Sequence, residues 1–202
     1  MQRESTQIVM KDDGETDMNI PIDVSNTTLE TDRLLIRPWS MTDLEDFFKY
    51  AKIDGVGQMA GWEPHKSIEE SKEILTSFIE NKRTFALEIK SNHKVIGSLG
   101  LEEIVIDLGE PYQSLRGREV GYVLSKDYWG RGLMPEAVRE LIRYCFEELD
   151  CDFLQCTHSF SNERSRRVID KVGFQFIRDD IQPNENGTQR ETKVYVMRNP
   201  GK

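Results

Sequence analysis

The stretch Glu119-Val120-Gly121-Tyr122-Val123-Leu124-Ser125-Lys126-Asp127-Tyr128-Trp129-Gly130-Arg131-Gly132-Leu133-Met134 decides the reading of this chain. Its first half has the apolar and β-branched character of a strand. Its middle carries glycines at 130 and 132. Its end feeds into a run in which Ala137, Val138, Leu141, Ile142, Cys145, Phe146 and Leu149 recur at helical spacing, with Pro135 suited to a first helical turn. A strand, a glycine turn and a helix therefore follow one another without a linker. The glycines let backbone amides point outward, the first amides of the helix lack intrahelical partners, and the helix dipole places partial positive charge there. Such a turn suits an anion, and Arg131 adds a cation nearby. A tight connection alone would have the same local pattern. The phosphate loop GxxxxGK[ST] and the dinucleotide fingerprint GxGxxG are both absent.

Working outward, Arg33–Arg37 reads as a strand closed by Pro38, and Ser40-Met41-Thr42-Asp43 as a helix start with Leu44, Phe47 and Phe48 on one face. A second helix is expected over Ser67–Asn81, and strands over Thr84–Ile89, Val95–Glu103 and Glu119–Leu124. Beyond the long helix come a strand at Phe153–Thr157 and a helix at Asn162–Val172 stopped by Gly173. A hairpin of Phe174–Ile177 and Thr192–Met197 spans a loop containing Asn186-Gly187. The order β-α-α-β-β-β-α-β-α-β-β predicts one α/β domain on a mostly antiparallel sheet, with a parallel element where strand, helix and strand succeed each other. Residues 1–28 carry two basic and six acidic side chains and little periodicity. They read as a flexible extension ahead of a single domain at 29–202, although Ile8–Met10 and Ile20–Ile22 are apolar enough to dock.

The 202 residues suit one domain with a substantial core. A formal charge of −9 argues against nucleic-acid binding and tolerates a cationic acceptor. No apolar run reaches the roughly 18 to 20 residues that span a bilayer, and the N-terminus lacks a secretory core, so a cytoplasmic, membrane-free protein is expected. Cys145, Cys151 and Cys156 show no metal-ligand spacing and read as small buried hydrophobes; no metal is expected.

A second signature, Asn162-Glu163-Arg164-Ser165-Arg166-Arg167-Val168-Ile169-Asp170-Lys171-Val172-Gly173-Phe174, opens the later helix. Together with YVLSKDYWGRGLMPEAV and the opening LETDRLLIRPWSMTDLEDFF, it resembles the GNAT acetyltransferase superfamily, and within it the branch acting on ribosomal-protein N-termini. The resemblance runs from about Leu29 to Met197. It implies a mixed, mostly antiparallel sheet of six to seven strands, flanked by helices and splayed at its centre. It implies that Trp129, Gly130, Arg131, Gly132, Leu133 and Met134 form the turn whose amides bind the pyrophosphate of acetyl-CoA. Trp129 stands at the family's Q/R place, and Met134 departs from its final small residue. Tyr122, Val123 and Leu124 would pair with pantetheine, with a strand amide near Val123 or Leu124 available to an oxyanion. Asn162 would touch pantetheine, Ser165 would lie near the thioester sulfur, and Arg166, like Arg116, Arg118 and Arg167, could reach the coenzyme's 3′-phosphate or an acidic peptide.

The implied reaction is direct attack of a neutral amine on the thioester. The family's frequent tyrosine acid would fall at Ile169, so Ser165, directly or through water, is the substitute. Glu119 and His158 are the candidate bases; His65 and His93 are not expected to take part. The resemblance places Trp62 and the Gly55–Gly61 loop beside the acceptor, with a plain packing role as the alternative. The acceptor is a protein N-terminus or a small amine (polyamine, amino acid or aminoglycoside), served by a monomer or homodimer. A non-catalytic acyl-CoA-binding module is the remaining alternative.

Overall fold

The computed structural model describes residues 18–183 and 187–202; the Ile8–Met10 patch and Asn186 lie outside them. The strands are β1 (Leu29–Glu30), β2 (Leu34–Pro38), β3 (Thr84–Ile89), β4 (Lys94–Glu102), β5 (Gly117–Leu124), β6 (Phe153–Ser159), β7 (Gln175–Pro183) and β8 (Gln189–Arg198). The helices are α1 (Leu44–Ala51) and α2 (Ile68–Asn81) between β2 and β3, α3 (Leu133–Glu147) between β5 and β6, and α4 (Glu163–Val172) between β6 and β7. All eight strands form one sheet in the order β1-β2-β3-β4-β5-β6-β8-β7, antiparallel throughout except for the parallel pair β5–β6. The strand beyond the expected seven is β1, whose two residues pair with β2. Two residues are too few to carry a periodic signal.

Local chemistry starts and stops these elements where the sequence suggests. Ser40 and Asp43 form a reciprocal capping box ahead of α1. Ser67 accepts from the Glu70 amide at the start of α2. Gly173, at φ +100°, closes α4 in the left-handed region. The core lies on both faces of the sheet. Leu133, Ala137, Val138, Leu141 and Cys145 of α3 pack against Leu34, Ile36, Phe85, Leu99 and Leu154 on one face. Trp39, Phe47, Tyr50 and Leu75 fill the other beneath α1 and α2. Burial of each such large side chain contributes about 1.5–3 kcal/mol, so the site described below rests on a stiff frame.

The described part of the N-terminal extension, from residue 18, is docked on the domain. Ile20 and Val24 are only 3% and 1% exposed. The Val24 amide donates to the Lys82 carbonyl, the Gly117 amide to the Met18 carbonyl, and Arg118 Nε to the Ile20 carbonyl. From residue 18 onward the extension is therefore part of the packed body, because its alternating apolar residues cover the edge of the core.

The feature that positions the site is a divergence at the centre of the sheet. β5 and β6 pair only over Gly117–Glu119 and Phe153–Gln155. Beyond that point β5 stays with β4 as far as Gly97 opposite Leu124, while β6 follows β8 as far as Ser159 opposite Thr192. The two strands splay into a wedge with Glu119 at its apex.

Candidate active site

The wedge opens into a cleft of about 690 Å³. One wall is β5 from Glu119 to Leu124; Gly130, Gly132, Leu133 and Met134 of the turn close one end, and Thr157, His158 and the start of α4 form the other wall. Val56, Met59 and Ala60 cover it from the loop between α1 and α2. The Asn162 side-chain amide donates to the Met59 carbonyl at 3.3 Å and ties that loop to α4.

Gly130 and Gly132 both sit at φ +76°, a conformation that costs other L-residues strain, and Gly132 is the N-cap of α3 with no side-chain cap. Among the described residues, no backbone carbonyl accepts from the amides of residues 130 to 134. Pro135, third in the helix, has no amide to leave unpaired. The turn therefore presents free donors to the cleft. Met134, the departure from the family pattern, lines the cleft while packing into the core. The turn is held from behind. Arg33 donates to the Arg131 carbonyl at 3.0 Å and pairs with Glu136 of α3 at 2.6 Å, while Thr31 donates to Glu136 at 2.6 Å. Trp129 folds back so that its indole N–H donates to the Leu124 carbonyl at 2.8 Å, and the Arg164 guanidinium lies 4.2 Å over its ring. Arg131 stacks over Tyr128. The Arg33 clamp has no local signature, since its partners lie about a hundred residues away.

At the apex, Glu119 accepts from Thr157 Oγ1 at 2.7 Å and from Gln155 Nε2 at 2.9 Å. Desolvation outweighs these two bonds and raises its carboxyl above the usual carboxylate range. Its register partner on β4 is Glu102, which also lines the cleft.

Ser165 is 8% exposed, in the first turn of α4, with its amide capped by Asn162 Oδ1 at 3.1 Å. Its hydroxyl stands 2.8 Å from the Tyr122 hydroxyl, which also lies 3.2 Å from the Ser165 carbonyl. Burial holds the Tyr122 phenol well above its ordinary pKa, so it stays protonated. The sequence pointed to Tyr122 only for its strand backbone; its phenol is the addition from the structure. A phenol is thus supplied across the cleft from β5, where Ile169 leaves none on α4.

His158 lines the same cleft, but its ring is committed. Nδ1 faces the Ser159 carbonyl at 2.8 Å and must carry the proton, leaving Nε2 to accept from Tyr195 at 3.2 Å. Desolvation lowers its pKa. Arg166 does not line the cleft; it pairs with Glu163 at 2.7 Å and Asp170 at 2.9 Å along the helix. Helical spacing turns Arg164, Arg167 and Lys171 toward the cleft instead. Arg118 is buried against Ile20, and Arg116 lies outside the cleft lining. His65 is buried against Ser71, and His93 pairs with Glu88. Trp62 packs on His65 at a ring distance of 5.0 Å. The three cysteines are free and buried.

A sheet splayed beside a helix start, with unpaired amides at one end and a desolvated carboxylate at its apex, defines an acyl-transfer fold. The family model for the acetyltransferase (GNAT) domain matches residues 33–175, and the chain belongs to that family. It is an acetyl-CoA-dependent N-acetyltransferase. It is similar to the Bacillus subtilis protein named uncharacterized N-acetyltransferase YoaA, 28% identical over 180 residues that cover 85% of this chain and 97% of the relative. Its fold is similar to that of ribosomal-protein-S5-alanine acetyltransferase from Vibrio fischeri. There the TM-score is 0.67 and the identity 23%, over 87% of this chain and 98% of the other. It is similar also to spermidine N-acetyltransferase from Vibrio cholerae in complex with CoA and spermine, with TM-score 0.66 and 17% identity over 84% of this chain and 97% of the other. Among the described residues no helix is long and apolar enough to cross a membrane, and no His, Cys, Asp and Glu cluster could hold a metal ion.

Proposed function

We propose that the chain acetylates the α-amino group at a protein N-terminus, with Glu119 as base and Ser165 as the group that protonates the departing thiolate. Acetyl-CoA, when bound, supplies the activated acetyl thioester. The residues present fit its anionic and amide-bearing parts. The free amides of the 130–134 turn offer donors to a diphosphate without a competing carboxylate, and Arg164, Arg167 and Lys171 add positive charge along the same wall. Val120 to Leu124, deserted by β6, leave a strand edge for pairing with the amides of an extended ligand.

The observation that carries the reading is Glu119. A carboxylate at the closed end of the wedge, desolvated yet held by Thr157 and Gln155, takes a proton from an incoming ammonium directly or through a water. Ser165, fixed by Asn162 and Tyr122, faces the same cleft and relays a proton to sulfur, giving its hydroxyl proton while it takes, through water, the one released by the newly acylated amine nitrogen, so that no alkoxide is left; the phenol keeps its hydrogen bond to the hydroxyl throughout. His158, with both ring nitrogens engaged, plays no part in this scheme. The reading of the acceptor as an N-terminus draws on the cover formed by the α1–α2 loop, which leaves the acceptor between it and the β7–β8 hairpin. It also draws on the likeness to a protein named a ribosomal-protein alanine acetyltransferase.

A second reading, a polyamine acceptor, is favoured by the facing carboxylates of Glu102 and Glu119. Initial rates with acetyl-CoA, read as free thiol, against N-terminal peptides and spermidine decide between them. A kcat/KM at least tenfold higher for the best peptide is expected, and the reverse order overturns the reading.

A further inference from the structure

Arg190 is the one guanidinium among the cleft-lining residues that comes from the β7–β8 hairpin; it sits on β8 opposite Gln182. Its side chain reaches across to the α1–α2 loop. A Cβ added at Gly61 would stand 2.9 Å from Arg190 Nη1, so the absence of a side chain at 61 makes room for the guanidinium. Arg190 Nε is buried without a hydrogen-bond partner, and no carboxylate of the described residues lies within ion-pair distance of the guanidinium. It acts electrostatically on Glu119, whose two oxygens already accept from Thr157 and Gln155. Glu102, which also lines the cleft, pairs with Arg83 at 3.8 Å. Every other arginine with a buried face here has a partner: Arg37 pairs with Asp43 and Glu88, and Arg118 with the Ile20 carbonyl.

A partly buried guanidinium without a counter-charge is costly to keep. The cost is relieved when a ligand brings the missing anion, because guanidinium and carboxylate form paired, charge-assisted hydrogen bonds. We infer that Arg190 reads a carboxylate carried by the acceptor a few bonds from its reactive amine. The acceptor is then a zwitterion, with its ammonium drawn to the carboxylate of Glu119 and its carboxylate to Arg190. A polycation would bring a second ammonium to a cation that has nothing to offset it. The inference deepens the reading of the cleft as an N-acetyl-transfer site and rests on it. Two sources supply this chemistry: an N-terminal peptide whose second residue is acidic, and a free amino acid.

The test compares acid and amide versions of each source on the full-length enzyme with acetyl-CoA. The peptides are Ser-Asp-Ala-Ala and Ser-Asn-Ala-Ala, both C-terminally amidated; the free amines are β-alanine and β-alaninamide. Spermidine is the polycation control. In the unmodified enzyme the acid member of one pair has a kcat/KM about tenfold above its amide, as a charged hydrogen bond is expected to confer. In Arg190→Gln the ratio falls to about one, and in Arg190→Lys it is intermediate because the paired geometry is lost. Discrimination within the peptide pair supports both this inference and the N-terminal reading. Discrimination confined to the free amines supports Arg190 and sinks the N-terminal reading. A ratio near one in both pairs, a ratio that survives Arg190→Gln, or spermidine outpacing every acid overturns the inference. If no acceptor turns over, calorimetric binding of the same pairs to the CoA-loaded enzyme decides; equal affinity for acid and amide overturns it.

Discussion

The hydroxyls of Tyr122 on β5 and Ser165 on α4 stand 2.8 Å apart across the cleft. The two walls of the cleft, β5 and the start of α4 beyond β6, are thus joined by a hydrogen bond, beside the position where the thiolate would leave. Burial keeps the phenol protonated, so its one hydrogen is available to the Ser165 hydroxyl or carbonyl; when it points to the hydroxyl, Ser165 is free to turn its own proton outward. Tyr122 acts through Ser165 and is a positioning residue.

Ser165→Ala is therefore expected to lower kcat by about a hundredfold, the lower range for general acid–base catalysis, with little change in acetyl-CoA affinity. Tyr122→Phe is expected to lower kcat by less, about threefold to tenfold. The loss should shrink for an acyl donor with a more acidic thiol, since a better leaving group needs less protonation. Steady-state kinetics with two thioesters check this. Equal losses for both donors would place Tyr122 in packing alone.

Glu119 gives a prediction with a worked sign. Its carboxyl is raised by desolvation, so the folded state holds a proton that the unfolded chain has already released. Stability falls as pH rises from the ordinary carboxylate value, about 4.3, through the raised folded value. Catalysis runs oppositely, because only the ionised form accepts a proton. Glu119→Gln is expected to lose about a hundredfold or more in kcat, to lose the acid limb of the pH–rate profile, and to melt no lower than the parent at pH 7. A pH–rate series and thermal melts read both. A mutant that melts lower but retains kcat would assign Glu119 to structure.

His158→Gln should leave the shape of the pH profile unchanged, since Nδ1 and Nε2 are engaged with Ser159 and Tyr195 and desolvation keeps the ring neutral. Loss of an inflection near the ordinary histidine value, about 6.5, would return His158 to the list of bases.

The clamp behind the turn supplies a further test. Arg33→Ala removes the bond to the Arg131 carbonyl and the ion pair to Glu136. Both are half-exposed, so the stability cost is small, under about 1 kcal/mol. The turn it braces is expected to loosen, raising the acetyl-CoA KM by about threefold with kcat nearly kept. An unchanged KM would show that the glycines alone set the turn.

What the sequence disclosed follows the range of each interaction. The α3 stripe, the Gly130 and Gly132 turn, the start of α2 beside Ser67 and the Gly173 stop are all written within a few residues of where they act, and each appears where expected. The hairpin is longer than its apolar pattern: β7 runs on through Arg178, Asp179 and Asp180 because pairing with β8, not burial, holds it. The apolar Ile20–Ile22 patch suggested docking but not its partners, and those partners, the Arg33 clamp, the Tyr122 phenol and the lone Arg190 are contacts across about 40 to 130 residues of chain, which no local pattern records. Arg166 lies off the cleft for a simpler reason: on a short helix, neighbouring arginines point to different faces, and only the fold says which face meets the cleft.

Everything in this account depends on the free amides of residues 130 to 134 holding a diphosphate. The most direct measurement is calorimetric titration of acetyl-CoA into Gly132→Asp and Gly132→Asn. Both variants carry the same left-handed strain at φ +76°, and only one adds negative charge. The account predicts that Asp weakens binding about tenfold more than Asn, as charge beside a helix start should. Equal affinities in the two variants would contradict it.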